Sequence, residues 1–418
     1  MKVLHVIPSV SERSGGPGHA IIPMCRSLQE QGTEVAIATT DHGMVSSFEF
    51  RVSSSNSRDE CDDVSIGANN ASLTRNSEPE TRNCYKGVPT YFFPSQWGES
   101  FKYSKPLASW LDANVKAFDV VHIHAVFNHA CIAAARACRQ HQVPYVVRPL
   151  GTLDPWSMKQ KPLRKFLFWQ LAGKRMLQGA AAVHYTARAE QSAAEESLGL
   201  NHGQVIPLGV EIDVRETANG GEIISRRLDQ LGRDPYVLVL SRLHPKKGLD
   251  IFLEAFVSLV RKQDFKDWRL ILAGEGPTEY VQALKEKVAA HHAEDIIVFP
   301  GWLEGDTKSA FLRHASLLAL PSYHENFGLC VMESLAAGVP VLVSPHVNLA
   351  AEIEAAGAGW ITAVKQIDLE ATLAEALRSA DERAKRGNAG KVFAKQFSCA
   401  AIASRLNELY ASVSTGNA

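Results

Sequence analysis

Along the chain, short runs of β-branched and aliphatic residues alternate with longer segments in which apolar residues return every three or four positions. Runs at 3–7, 35–39, 120–124, 145–147 and 181–184 predict strands, and the Ala-, Leu-, Lys- and Glu-rich stretches between them predict helices. This alternation predicts parallel β-α-β units. A second series of runs at 236–240, 270–273, 296–299, 317–320 and 341–343 repeats it. The fold class expected is therefore α/β, with two doubly wound parallel-sheet domains. Ile206-Pro207-Leu208-Gly209-Val210 leads into a polar stretch ending at Gly221, the composition of a linker. The first domain is expected over 1–210 and the second over 211–396. Over 397–418, Ile402, Leu406, Leu409 and Tyr410 form the stripe of an amphipathic helix, expected to pack back on the first domain. The rhythm breaks at 46–83, rich in Ser, Asn, Asp, Glu and Arg, which reads as a mobile insertion.

Composition narrows the function classes. With 418 residues, 45% hydrophobic and 21% charged, the chain has the balance of a globular protein, and no apolar run reaches membrane-spanning length. A net charge of -1 supplies no global field for nucleic acid, which is not expected as a partner. The seven cysteines show no C-x-x-C spacing, which favours reduced thiols and a cytoplasmic location; Cys61 and Cys84 are close enough in sequence that pairing stays open.

Ligands of open α/β sheets bind beyond the carboxyl ends of the strands, so the segments after each strand carry the candidate chemistry. After the first strand comes Ser14-Gly15-Gly16-Pro17-Gly18, a turn whose backbone N–H groups suit an anion at a helix start. It matches neither the dinucleotide fingerprint nor the P-loop. After the strand at 236–240 comes Ser241-Arg242-Leu243-His244-Pro245-Lys246-Lys247-Gly248, whose cations suit a diphosphate. Gly274-Glu275-Gly276-Pro277 and Pro300-Gly301-Trp302 follow the next two strands. After 317–320 stand Glu325-Asn326-Phe327-Gly328-Leu329 and, eight residues past Glu325, Glu333. A helix beginning near Gly328 would offer N–H groups to a phosphate and place Glu333 to meet a vicinal diol such as a ribose. Taken singly, each of these segments is also ordinary turn chemistry or a solvated loop.

Together, Gly15-Gly16, His122-Ile123-His124, Ser241-Arg242-Leu243 with Lys247-Gly248, Gly274-Glu275-Gly276-Pro277 and Glu325-Asn326-Phe327-Gly328 through Glu333 resemble glycosyltransferase family 4. The resemblance covers nearly the whole chain outside 46–83. It implies the GT-B fold, two Rossmann-like domains facing across a cleft, and a retaining transferase whose second domain binds a nucleoside-diphosphate sugar. It implies that Arg242 and Lys247 hold the diphosphate, Glu333 the ribose and Glu325 the transferred sugar. The main chain of Phe327, Gly328 and Leu329 would lie beside sugar and phosphate, with Gly274 and Trp302 framing the nucleotide. Gly15 and Gly16 would close on the phosphates and His124 would stand by the donor sugar, whereas His122 reads as a packed strand histidine. No Asp-x-Asp triplet occurs, so no metal or other cofactor is expected.

The acceptor is expected in the first domain. Arg148-Pro149-Leu150-Gly151-Thr152-Leu153-Asp154-Pro155-Trp156 resembles a segment of polysaccharide-assembling family members, with Arg148 and Asp154 as acceptor contacts. From 155 to 189 there is no Asp or Glu, while Lys159, Lys161, Arg164, Lys165, Lys174, Arg175 and Arg188 interleave with Phe166, Leu167, Phe168 and Trp169. Such a segment suits an anionic membrane surface, or else a core-facing Phe166 and Trp169 with solvated cations. The function expected is transfer of a hexose to a glycan or lipid-linked glycan in polysaccharide biosynthesis. The alternatives are a noncatalytic nucleotide-sugar-binding protein or a phosphorylase or epimerase of the same fold.

Overall fold

The structure, a computed structural model, describes residues 1–11, 16–42, 81–98, 101–159, 162–212 and 234–415. Gly15, Cys61, Lys161, nearly all of the 46–83 insertion and the second half of the linker lie outside these. The chain divides into two compact units, Met1–Gly209 with Ala400–Ala418, and Val210–Cys399.

Unit 1 is built on an eight-stranded sheet of β1 (Lys2–Ile7), β2 (Glu34–Thr40), β3 (Thr81–Tyr85), β4 (Val88–Phe93), β5 (Val120–His124), β6 (Tyr145–Arg148), β7 (Ala182–Tyr185) and β8 (Gly203–Val205). Their order is β3-β4-β2-β1-β5-β6-β7-β8, parallel except for β3 against β4. Both faces are covered, which is why the strands read as continuous apolar runs. Leu4, Val6, Val121, Ile123, Val147 and Val183 face a core with the Lys105–Asn114 and His129–His141 helices. Val3, Ile7, Val120, Val146 and Ala182 face the Gly16–Glu30 helix and the Cys399–Thr415 helix. The last helix buries Ile402, Leu406, Leu409 and Tyr410 there.

β3 and β4 were not legible in sequence. Pro89 lowers the strand signal of β4; it pairs with Cys84 of β3 and lies just before Thr90, where the pairing of β4 with β2 begins. Residues 81–83, the end of the expected insertion, belong to β3.

Unit 2 carries a parallel six-stranded sheet of β9 (Tyr236–Leu240), β10 (Arg269–Ala273), β11 (Ile297–Gly301), β12 (Leu317–Leu320), β13 (Val341–Val343) and β14 (Gly359–Ile361). The order is β11-β10-β9-β12-β13-β14. The chain moves outward from β9 to β11, then returns to β12 on the other side of β9. The topological switch point of this sheet therefore lies between β9 and β12, and the loops following those two strands are where such sheets bind ligands. In unit 1 the corresponding point lies between β1 and β5.

Candidate functional site

In unit 2 the switch-point loops are tied together by their backbones. After β9 the chain makes a short 3-10 turn, Pro245–Lys247, capped by the His244 side chain accepting from the Lys246 N–H at 3.1 Å. Gly248 ends it at φ 66°, where a Cβ would stand 2.4 Å from the Pro321 carbonyl oxygen; no larger residue lets the two loops approach so closely. The Tyr323 N–H donates to the Lys246 carbonyl at 2.8 Å. The turn buries Lys247, whose ammonium donates to the Glu325 carboxylate. Glu325 is itself fixed by main-chain bonds to His346 and Asn348, both 3.0 Å. Burial works to raise its carboxyl, but Lys247, then Lys246 and His324, outweigh this and hold it below the ordinary carboxylate value. Arg242 stands exposed on the same loop as Lys247.

The Leu329–Ala336 helix starts immediately after Gly328, which adopts φ 73°. Glu333, on its second turn, is held by Lys308 of the Gly305–His314 helix at 2.7 Å. Lys308 carried no recognisable signal, because a lone lysine on a solvated helix face looks like any other. Phe327 is buried with its ring edge-on to Phe397 at 6.1 Å, so only its main chain faces the loop, and Leu329 is half-buried. Gly274, at φ 140°, and Gly276 bring the loop after β10 onto the one after β9, since a Cβ at either would lie within 1.9 Å of a carbonyl oxygen of Ser241 or Leu243. The Gly274 N–H reaches the Gly301 carbonyl at 2.8 Å, next to a half-buried Trp302. The structure thus brings Arg242, Lys247, Gly274, Trp302, Glu325, Phe327, Gly328, Leu329 and Glu333 to the carboxyl edge of one sheet. It offers two paired carboxylates, an exposed guanidinium and a helix start, an inventory suited to a diphosphate and polyhydroxylated groups.

In unit 1 the candidates divide. Gly16 opens the Gly16–Glu30 helix at the carboxyl end of β1 and is exposed. The crowded glycine is Gly18, where a Cβ would stand 2.4 Å from the Ser11 carbonyl oxygen. His124, expected beside the donor sugar, is instead fully buried, as is Arg148, expected as an acceptor contact. The reason is strand register. His5, His122, His124, Arg148 and His184 all project to the face covered by the Gly16–Glu30 and Cys399–Thr415 helices, and pairings His5↔His122 and His124↔Arg148 place them side by side. Arg148 reaches Met24 Sδ at 3.5 Å, and its Nε and Nη2 have no protein partner. His5 and His184, which the sequence reading passed over, complete the cluster.

The proton positions in this cluster follow from one carbonyl. The Ile206 oxygen accepts from His184 Nε2 at 2.6 Å, so Nδ1 of that neutral ring is an acceptor. His122 Nε2 then donates to it at 3.2 Å, which leaves His122 Nδ1 to accept from the Tyr410 hydroxyl at 2.7 Å. Burial, then the Arg148 charge, hold His5 down to about 3, and burial does the same to His184. His122 and His124 are pushed well below the usual value by burial foremost. Nitrogens of His5, His122 and His124 lie within 4.8 Å of one another. However, both His122 nitrogens are committed, and a cation there would sit beside a guanidinium, so the cluster is a hydrogen-bonded core network.

Asp154 is half-buried in the turn after β6. That turn, with Leu150 at φ 58° and Gly151 at φ 70°, is shaped by the buried Glu190 carboxylate, which accepts from the Gly151 N–H at 2.5 Å and from Thr186. Further on, the expectation of a core-facing pair in the basic segment holds for Trp169 and fails for Phe166, which is exposed. Phe168 packs on Phe127 at 5.1 Å and Trp169 against the core, whereas Leu163, Phe166, Leu167 and Leu171 are 79%, 58%, 59% and 82% exposed. Among the described residues, no helix is long and apolar enough to cross a membrane.

Comparison with known proteins agrees with this architecture. Residues 222–393 match the glycosyl transferases group 1 family and residues 15–209 the glycosyl transferase 4-like domain. An uncharacterized glycosyltransferase of Bacillus subtilis, YqgM, is 33% identical over 271 residues, 61% of this chain and 68% of that protein. The D-inositol 3-phosphate glycosyltransferase of Corynebacterium efficiens is 28% identical over 182 residues, 43% of each chain. The chain spans less than half the length of several curated relatives it matches, 26% in the case of an uncharacterized Methanocaldococcus jannaschii glycosyltransferase. The crystal structure of Anabaena HepE in complex with UDP and glucose superposes with a TM-score of 0.73 at 18% identity, over 99% of this chain and all of that one. With both halves matched and the two doubly wound sheets in place, the chain belongs to the group 1, family-4-like glycosyltransferases and has the GT-B fold.

Proposed function

We propose that the protein transfers a hexosyl group from a nucleoside-diphosphate sugar to a hydroxyl of a glycan or lipid-linked glycan, with retention of anomeric configuration. The observation that carries this reading is the convergence of Arg242, the Lys247–Glu325 pair and the Glu333–Lys308 pair at the switch point of one sheet. In this reading Arg242 and Lys247 stabilise the charge that develops on the leaving diphosphate. Lys247 has three donors and spends one on Glu325, so its charge remains available to a phosphate oxygen. Glu325 orients the sugar hydroxyls and Glu333 the ribose. The two carboxylates lie on one segment of one sheet edge, not on opposite sides of a scissile bond as in hydrolases. Departure of the phosphate and attack by the acceptor then occur on the same face, with the acceptor proton passing to the leaving phosphate. Charge stabilisation by these cations needs no metal.

Relatives support the substrate class. One is named as a GDP-mannose-dependent phosphatidylinositol mannoside mannosyltransferase of Mycobacterium tuberculosis, and HepE was solved with UDP and glucose. A peripheral contact of 159–175 with an anionic membrane, on the cytoplasmic side, is part of the same reading, supported by the four exposed apolar side chains among cations. Two experiments test it. NMR assignment of the product's anomeric configuration should give retention, and an inverted product overturns the mechanism. Vesicle sedimentation should give salt-sensitive binding to anionic liposomes, and its absence at low salt removes the membrane contact.

A further inference from the structure

Most of the candidate site of unit 2 stands on loops that follow strands, but Lys308 stands on the Gly305–His314 helix, which follows β11. This helix braces two of the candidate nucleotide contacts at once. At its N-terminal cap, the Glu304 carboxylate accepts from the Trp302 indole Nε1–H at 3.3 Å. One turn on, the Lys308 ammonium donates to Glu333 Oε1 at 2.7 Å, and the Lys308 main-chain N–H donates to the Glu304 carbonyl at 3.2 Å. The two braces are therefore neighbours, i and i+4, on one helix face. In the donor reading Trp302 frames the nucleotide and Glu333 meets its ribose, so both are held from a single rigid element.

The Lys308–Glu333 pair has the chemistry of an orienting contact. The two side chains keep 24% and 25% exposure, so the pair is only partly desolvated and adds little to folding. What it does fix is a carboxylate on a flexible stem, which would otherwise lose rotamer freedom at the moment a ligand bound. Among the described residues nothing else bonds the Glu333 side chain, so Oε2 is open, and Oε1 keeps a second lone pair beside Lys308. The fixed carboxylate can thus accept from two adjacent hydroxyls, which is what the 2′ and 3′ positions of a ribose present. A 2′-deoxyribose presents only one of them.

We propose that Lys308 is a positioning residue for nucleoside recognition: by holding Glu333 it makes the site select a ribonucleotide over its 2′-deoxy counterpart. The inference rests on the donor reading above and adds to it the residue that sets selectivity for the ribose. The test is titration calorimetry of the full chain with UDP, GDP and ADP and with their 2′-deoxy counterparts, for wild type, Lys308→Met, Lys308→Arg and Glu333→Gln. The nucleotide that wild type binds most tightly should bind about tenfold more weakly without its 2′-hydroxyl. In Lys308→Met the ribonucleotide should weaken about tenfold and the deoxy form much less, so that the ratio falls to about two. Lys308→Arg, which keeps the charge and a donor, should restore most of the ratio. Lys308→Met added to Glu333→Gln should change the ratio no further, because the lysine acts through the carboxylate. Equal weakening of both forms in Lys308→Met is the mark of a merely structural residue and overturns the inference, as does a wild type that binds both forms alike. No nucleotide binding to wild type fails the donor reading and the inference together, whereas a ratio unchanged in Lys308→Met beside intact nucleotide binding fails the inference alone.

Discussion

Four neutral histidines buried against one guanidinium make unit 1 sensitive to mild acid. In the unfolded chain each titrates near 6.5, whereas in the fold His5 and His184 are held at about 3, and His122 and His124 well below their ordinary value. The sign is fixed: a base whose folded value is depressed contributes its full stability above the unfolded value and loses it as pH falls toward the folded one. Between pH 7 and 5 the unfolded chain takes up nearly one proton per histidine that the fold refuses. Integrating the linkage relation gives about 2 kcal/mol lost for each of His5 and His184, or about 4 kcal/mol for the two, and His122 and His124 add to the loss in the same direction. Native domains have roughly 5–15 kcal/mol to lose, so unit 1 should lose a large share of its stability as pH falls from 7 to 5. The neighbouring groups offer no relief. Arg148 stays charged with its value lowered only to about 10, Tyr410 and Cys25 are neutral, and Glu190 is bonded to Gly151 and Thr186. The assay is urea denaturation followed by circular dichroism at several pH values, with His5→Phe as the variant that removes one site. The variant should flatten the slope by about one proton's worth, about 1.4 kcal/mol per pH unit. Stability that stays level from pH 7 to 5, or a slope unchanged in His5→Phe, would refute the reasoning.

In unit 2, Lys247→Met and Glu325→Gln should each cost about 2 kcal/mol, less than a fully buried pair because both side chains keep some exposure. The double variant should cost clearly less than the sum, and strict additivity in thermal unfolding would show that the pair is not coupled. Gly276→Ala puts a Cβ 1.8 Å from the Leu243 carbonyl oxygen, so it should separate the loops after β9 and β10. We expect it to lower nucleotide affinity by at least tenfold; titration calorimetry showing wild-type affinity would contradict the role given to that close approach.

The two-sheet plan was legible because strands buried on both faces leave unbroken β-branched runs, and Tyr236–Leu240 and Leu317–Leu320 are examples. β14 was not, because three residues beginning with Gly359 leave almost no pattern; the glycine is there because a Cβ would stand 2.4 Å from the Val341 carbonyl oxygen. Within the candidate site, the segment from Glu325 to Glu333 could be read because its residues lie close in sequence. Lys308 could not, since its partner Glu333 lies 25 residues away on another helix. For His124 and Arg148, burial was the part that could not be read from the sequence. Each ends a strand, where ligand contacts are expected, but at those positions the pleat turns the side chain toward the covering helices.

The central claim is that unit 2 binds a nucleoside-diphosphate sugar through Arg242, Lys247, Glu325 and Glu333. Its most direct test is a thermal-shift series of the full chain against UDP, GDP, ADP and their sugar conjugates, with and without EDTA, run beside Arg242→Ala. A ligand at 100 times its dissociation constant stabilises by about 2.7 kcal/mol, which such a series detects. The account predicts a shift selective for one base that survives EDTA and is lost in Arg242→Ala. No shift with any nucleotide, or one indifferent to Arg242, would contradict it.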